Sequence, residues 1–164
     1  MNDQHDKRRY RDAIGNFATG VCVVTAFAED GRPTGMTANA ITSLSLDPLL
    51  MVVCFDETSR TLAAARAGGR VGVNVLAAGQ EDLSKVFASK ASEDEKFAGV
   101  TWNEHGGAPV IDGCVSWFAG ALIELLPGGD HRIGIIGVSE FEGHGGEPLL
   151  YHRGAYARLL GETP

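Results

Sequence analysis

Four stretches of the chain carry side chains whose types and spacing could do chemistry. The first is Gly35-Met36-Thr37-Ala38-Asn39-Ala40-Ile41-Thr42-Ser43-Leu44-Ser45-Leu46-Asp47-Pro48, where small and hydroxyl residues alternate with apolar ones. Small side chains let a backbone approach something flat, and Thr37, Asn39, Thr42 and Ser43 offer donors and acceptors along the same edge. A Thr- and Ser-rich outer strand accounts for the composition equally well, since β-propensity favours Thr. The second stretch, Cys54-Phe55-Asp56-Glu57-Thr58-Ser59-Arg60-Thr61, leads into a helix. A helix start has unpaired N–H groups and a positive dipole end, which suit a phosphate. Capping alone explains Thr58 or Ser59. It does not explain Arg60, whose charge is unfavourable at a helix N-terminus unless an anion is near.

The third stretch is Gly128-Gly129-Asp130-His131-Arg132-Ile133-Gly134. A turn ending in Asp-His as a strand begins projects an imidazole at a barrel mouth, and Asp130 could orient that ring or raise its pKa. A surface hairpin with two polar residues is the plainer reading. The fourth is Leu149-Leu150-Tyr151-His152-Arg153-Gly154-Ala155-Tyr156, whose aromatic faces could stack on a planar ligand or simply sit at the core edge. Several chemistries lack their signatures. There is no G-x-G-x-x-G, no G-x-x-x-x-G-K-[ST], no G-x-S-x-G, no H-E-x-x-H and no Cys/His metal spacing among the five scattered histidines.

The elements that must position these residues read mostly as strands. A short amphipathic helix is predicted over 8–18, with Tyr10, Ile14, Phe17 and Ala18 on one face. The run 21–27 (VCVVTAF) is a buried strand ending at the hairpin signal Asp30-Gly31. One strand is expected over 35–46, broken by Asp47-Pro48, and another over 49–55. A helix over 62–67 stops at Gly68-Gly69, a strand covers 71–76, and a helix covers 80–90. Residues 91–97 read as a loop or a short second helix. Strands over 114–126 and 131–142 flank Pro127-Gly128-Gly129-Asp130, and a last strand spans 149–159 with a kink at Gly154. Six or seven strands without regular βαβ alternation point to a mainly β fold, an antiparallel barrel with a few short peripheral helices.

Size and charge narrow the reading. The 164 residues fit a single domain, with residues 1–7 expected as a flexible N-terminus. A net charge of −7 opposes phosphate backbones, so nucleic acid is not an expected partner. Cys22, Cys54 and Cys114 sit in apolar runs as free thiols. The polar N-terminal sequence and the lack of any ~18-residue apolar run read as a soluble, cytoplasmic protein.

Taken in order, these segments resemble the short-chain flavin reductases of the FMN-binding split-barrel superfamily, which includes reductase components of two-component flavin-dependent monooxygenases. The likeness runs from about Tyr10 to Leu159 through Phe17-Ala18-Thr19-Gly20-Val21, Gly35-Met36-Thr37-Ala38-Asn39, Ser45-Leu46-Asp47-Pro48 and Asn74-Val75-Leu76. It continues with Phe87-Ala88, Lys96-Phe97, Gly129-Asp130-His131 and Pro148-Leu149-Leu150-Tyr151.

The resemblance implies a homodimeric split β-barrel with flavin, FMN or FAD, in a groove near the subunit interface. Thr37, Ala38, Asn39 and Ala40 would run along the isoalloxazine ring; Ser43, Cys54, Phe55 and Asp56 would line its dimethylbenzene and ribityl side. Ser59, Arg60 and Thr61 would meet the phosphate, and Phe87, Ala88, Ser89 and Lys90 would close over the flavin tail. The Asp130-His131 turn would lie at the nicotinamide site, with His131 the catalytic candidate and Tyr151 nearby. Many relatives carry Ser at the position of Ala40, and the acidic run Glu93-Asp94-Glu95 leaves FMN versus FAD open. The implied activity is hydride transfer from NADH or NADPH to flavin, without a metal, and supply of reduced flavin to a partner monooxygenase. Alternatives are a same-fold reductase of a corrinoid or iron compound, a non-enzymatic flavin-binding protein, and a barrel without a ligand.

Overall fold

A computed structural model describes residues 3–160. Its elements are α1 (Asp3–Ile14), β1 (Thr19–Gly20), β2 (Cys22–Phe27), β3 (Pro33–Ala38), β4 (Ile41–Leu46), β5 (Leu49–Asp56), α2 (Arg60–Gly68) and β6 (Arg70–Val75). There follow α3 (Glu81–Ala88), α4 (Glu93–Phe97), β7 (Trp102–His105), β8 (Ala108–Ile111), β9 (Ser116–Gly128), β10 (His131–Gly143), β11 (Leu150–His152) and β12 (Ala155–Ala157). The protein is mainly β with few helices.

Seven strands form an antiparallel sheet in the order β3-β2-β6-β9-β10-β5-β4. Its two edges, β3 and β4, are consecutive in sequence and joined only by Asn39-Ala40. Such a link spans roughly 10 Å at most, so the sheet must curl until its edges approach there. The Cys54 N–H, donating to the Ala40 carbonyl at 3.0 Å, extends the β4–β5 ladder into that link. The single strand expected over 35–46 is therefore two strands on opposite edges. No Gly or Pro lies between Thr37 and Leu46 to mark a turn, and tertiary closure divides the two strands.

β2 explains why its sequence is apolar without alternation. Cys22, Val24 and Ala26 pack into one cluster with Val53, Phe55, Leu62 and Val73. Val23 faces the other way, with Leu76, Phe87 and Leu149. A strand buried on both faces needs no polar side. Burial pushes the Cys22 and Cys114 thiols up to about 12, which leaves them as inert packing groups.

Other boundaries moved for local reasons. The first helix covers Asp3–Ile14 rather than 8–18, so residues expected as a flexible N-terminus are helical from Asp3. The expected strand over 149–159 is the hairpin β11–β12, turned by Arg153 and Gly154 at φ 50° and 81°. A further hairpin, β7–β8, was not foreseen: Gly106-Gly107 supplies its two-residue turn, and four-residue strands containing Pro109 give little periodic signal.

Candidate functional site

The curled sheet leaves a cavity of about 590 Å³ between its β3 edge, the end of β5, the start of α2 and the α3–α4 connection. One wall is the β3 backbone from Gly35 onward. Gly35 is required there: a Cβ would come within 2.4 Å of Phe87 Cε1, so the Phe87 ring lies directly on the strand. Phe87 is held edge-on by Phe97, with ring centroids 4.9 Å apart.

α2 begins with a built cap. Ser59 Oγ accepts from the N–H groups of Thr61 and Leu62, while its hydroxyl donates to Met36 Sδ at 3.1 Å. Just upstream, Asp56 accepts from the Thr58 N–H at 2.7 Å and the Thr58 hydroxyl at 2.6 Å. Those bonds hold the Asp56 carboxyl below its ordinary range, with the neighbouring His131 contributing.

Arg60, which helix capping could not account for, has an anion supplied by the chain. Its Nη2 lies 2.8 Å from Glu93 Oε1 and also donates to the Ala91 carbonyl. Glu93 Oε2 in turn accepts from the Gly35 N–H at 2.9 Å, and the buried Lys96 donates to the Gly35 carbonyl at 2.9 Å. Glu93 Oε1 is 3.6 Å from Lys96 Nζ and makes no hydrogen bond, so the cations hold it by charge alone. Burial depresses the Lys96 pKa, with Glu93 opposing the shift. Both Arg60 contacts use Nη2, which leaves Nε–H and the Nη1 hydrogens outside them.

His131 opens β10 directly across from Asp56. Its Nδ1 is 2.7 Å from Asp130 Oδ1, a contact that fixes the ring's orientation and holds the Asp130 carboxyl below its usual range. The opposite ring nitrogen, Nε2, is then the one free to meet a ligand.

Of the residues singled out from the sequence, Thr37, Ala38, Asn39, Ala40, Cys54, Asp56, Ser59, Arg60, Thr61, Phe87, Ala88, Ser89, Lys90 and His131 line this one cavity. Four do not. Phe55 alternates inward between Cys54 and Asp56 and is fully buried in the core. Ser43 is exposed on β4, opposite Met51. Asp130 reaches the site only through His131. Tyr151 lines a neighbouring cavity of about 840 Å³ that shares Asn39 and Ala40 with the first and also meets Ile14, Phe17 and Arg153. The sequence reading missed Glu93 and Lys96. The Ser92–Glu95 capping box marks the helix that carries them, but nothing in the sequence signals that a lysine there is buried. Thr37 is also less free than expected, since its hydroxyl donates to the Ser84 carbonyl at 2.6 Å.

The arrangement suits a flat, anionic ligand. A cavity of this size holds a medium-sized organic molecule. The Thr37–Ala40 wall presents small side chains, and Arg60, Lys90 and Lys96 gather near a capped helix start. Known proteins agree with that chemistry. Residues 14–160 match the family described as "Flavin reductase like domain". A Rhizobium meliloti protein named "Probable flavin reductase" is 42% identical over 96% of this chain and 51% of its own length. The reductase subunit of a flavin-dependent monooxygenase from Mycobacterium tuberculosis is 36% identical over 97% of this chain and 86% of its own. A Streptomyces globisporus NADH:FAD oxidoreductase, solved in complex with NAD and FAD fragments, superposes with a TM-score of 0.89 at 34% identity, covering 100% of this chain and 99% of its own. The chain spans about half the length of the first of these relatives. With the fold, the cavity and the matched residues in agreement, the chain belongs to the flavin reductase-like family.

Proposed function

We propose that this chain is an NAD(P)H:flavin oxidoreductase that reduces FMN or FAD and supplies reduced flavin to a partner monooxygenase. The observation that carries the reading is the meeting of three requirements in one cavity. These are a small-residue strand edge for a ring, a cation-bearing helix start for a phosphate, and a tethered imidazole at the mouth. The two relatives and the complexed structure described above support it through what their names say they do.

When bound, flavin supplies the redox chemistry by accepting a hydride from the nicotinamide. The chain's part is placement. The Thr37–Ala40 backbone gives the ring a flat edge, and Ala40 leaves any hydrogen bond at its position to the backbone. Arg60, already ordered by Glu93 and Ala91, offers its remaining N–H groups to a phosphate at little further entropic cost. Asp130 keeps His131 Nε2 directed outward, where it positions the nicotinamide; reactive atoms need to come within roughly 3–3.5 Å.

A homodimeric split barrel completes the proposal. Tyr10, Ile14 and Phe17 expose 69%, 51% and 72% of their surfaces, with Ile14 and Phe17 lining the larger cavity, an apolar face that a second copy would cover. The deciding experiment is steady-state oxidation of NADH and NADPH with FMN, FAD and riboflavin in turn. Flavin-dependent turnover is expected. Binding of flavin without nicotinamide oxidation would reduce the protein to a flavin carrier.

A further inference from the structure

We infer that Glu57 is a positioning residue for the nicotinamide side of the site, because it clamps the His131 turn from both of its flanks. This rests on the assignment of His131 to that side. Glu57 follows β5 in the turn that leads to α2. Its N–H donates to the carbonyl of Asp130 at 3.1 Å, the residue before His131. Its carboxylate Oε2 accepts from Nε of Arg132, the residue after His131. The other oxygen, Oε1, accepts from Arg66 Nη2 at 3.3 Å, in the last turn of α2.

One side chain therefore ties the imidazole-bearing turn to the helix whose opposite end faces the cavity with Ser59, Arg60 and Thr61. The strand register alone does not do this. His131 is the first residue of β10 in its ladders with β5 and β9, and the Glu57 N–H to the Asp130 carbonyl carries the first of these one step further, but neither ladder reaches α2. The Arg132 hydrogen bond holds the Glu57 carboxyl below its usual range, so the clamp is charged throughout neutral pH. Glu57, Arg66 and Arg132 side chains are 38%, 43% and 35% exposed. Pairs this wet contribute little to global stability, so losing them should loosen the turn and leave the fold intact.

The test is a double-mutant cycle of Glu57→Ala and His131→Ala, with Glu57→Gln as the conservative variant. Each protein is assayed for KM and kcat with NADH and for flavin affinity by fluorescence quenching. Glu57→Ala is expected to raise the NADH KM by roughly tenfold, since ångström-scale misplacement costs that order of rate or more. Flavin Kd should stay within about twofold, and Glu57→Gln, which keeps an acceptor for Arg132, should recover part of the loss. In the His131→Ala background, Glu57→Ala should add nothing further. An undiminished effect in that background, or no effect of Glu57→Ala where His131→Ala impairs NADH use, overturns the assignment. If His131→Ala itself leaves NADH use unchanged, the nicotinamide placement of His131 fails, and the role of Glu57 falls with it. Should Glu57→Ala not fold, Arg132→Ala removes the same carboxylate contact from its other end and answers to the same outcomes.

Discussion

At the residue scale, Arg60 shows how a functional cue can have a structural cause. A cation at a helix start suggested a phosphate, yet Glu93 and the Ala91 carbonyl already hold it. The proposal survives because those contacts leave part of the guanidinium fork available. Arg60→Ala should then weaken FMN binding by about 10- to 100-fold, the range expected for one charge-assisted hydrogen bond of roughly 1.5–3 kcal/mol. Riboflavin, lacking the phosphate, should lose less than twofold. Equal losses for both, by fluorescence titration, would mean that Arg60 only supports the α3–α4 connection. Gly35 is the complementary case, conspicuous for what it lacks. Gly35→Ala would push a methyl into the Phe87 ring, and such overpacking costs about 1–3 kcal/mol. A urea midpoint unchanged from wild type would show that Phe87 moves aside freely.

At the scale of elements, what the sequence disclosed depended on whether the signal was local. The long strands β9 and β10, the Gly129-Asp130 turn between them and the capped α2 follow from neighbouring residues, and so were legible. The division of the 35–46 run between opposite sheet edges depends on curling of the whole sheet, which no window of sequence contains. The β7–β8 hairpin was lost for a related reason, since a distant residue secures it. Asn74, fully buried on β6, accepts from the Ile111 N–H at 2.7 Å and donates to the Val23 carbonyl at 3.0 Å. Thr25, beside it, donates to the Pro109 carbonyl. Asn74→Ala should therefore cost about 1–3 kcal/mol for each buried group left unpaired. Amides at 102–111 should also exchange faster than those of β9. Protection of that hairpin equal to wild type would contradict the stitching role. Of the candidate site, the residues at the β3 edge and at the start of α2 line one cavity. Phe55 does not, because alternation turns it inward between Cys54 and Asp56, and the sequence assigns Glu93 and Lys96 no place in the site because their burial is a tertiary property.

At the scale of the whole molecule, acid should loosen the β5–α2 and β9–β10 turns together. Asp56, Glu57 and Asp130 are each held below their ordinary values by hydrogen bonds, from Thr58, Arg132 and His131 respectively. A depressed carboxyl contributes stability that is fully present above its ordinary value, 3.8 for Asp and 4.5 for Glu, and is lost as pH falls through the lower folded value. Melting temperature should thus be level from pH 7 to about 5 and fall only slightly below about 4, because carboxylates this exposed contribute little to global stability. A decline already complete at pH 5 would point to groups other than these carboxylates. Because all three flank the β5–α2 and β9–β10 turns, nicotinamide use should fail before the core melts.

The proposed activity requires a ring seated against β3, and a crystal structure of the protein with FMN would show whether it sits there. The expected density places the isoalloxazine along Thr37 to Ala40 and the phosphate within hydrogen-bond reach of Arg60 at the start of α2. FMN bound elsewhere, with the β3 wall closed over by the protein's own side chains, would contradict it.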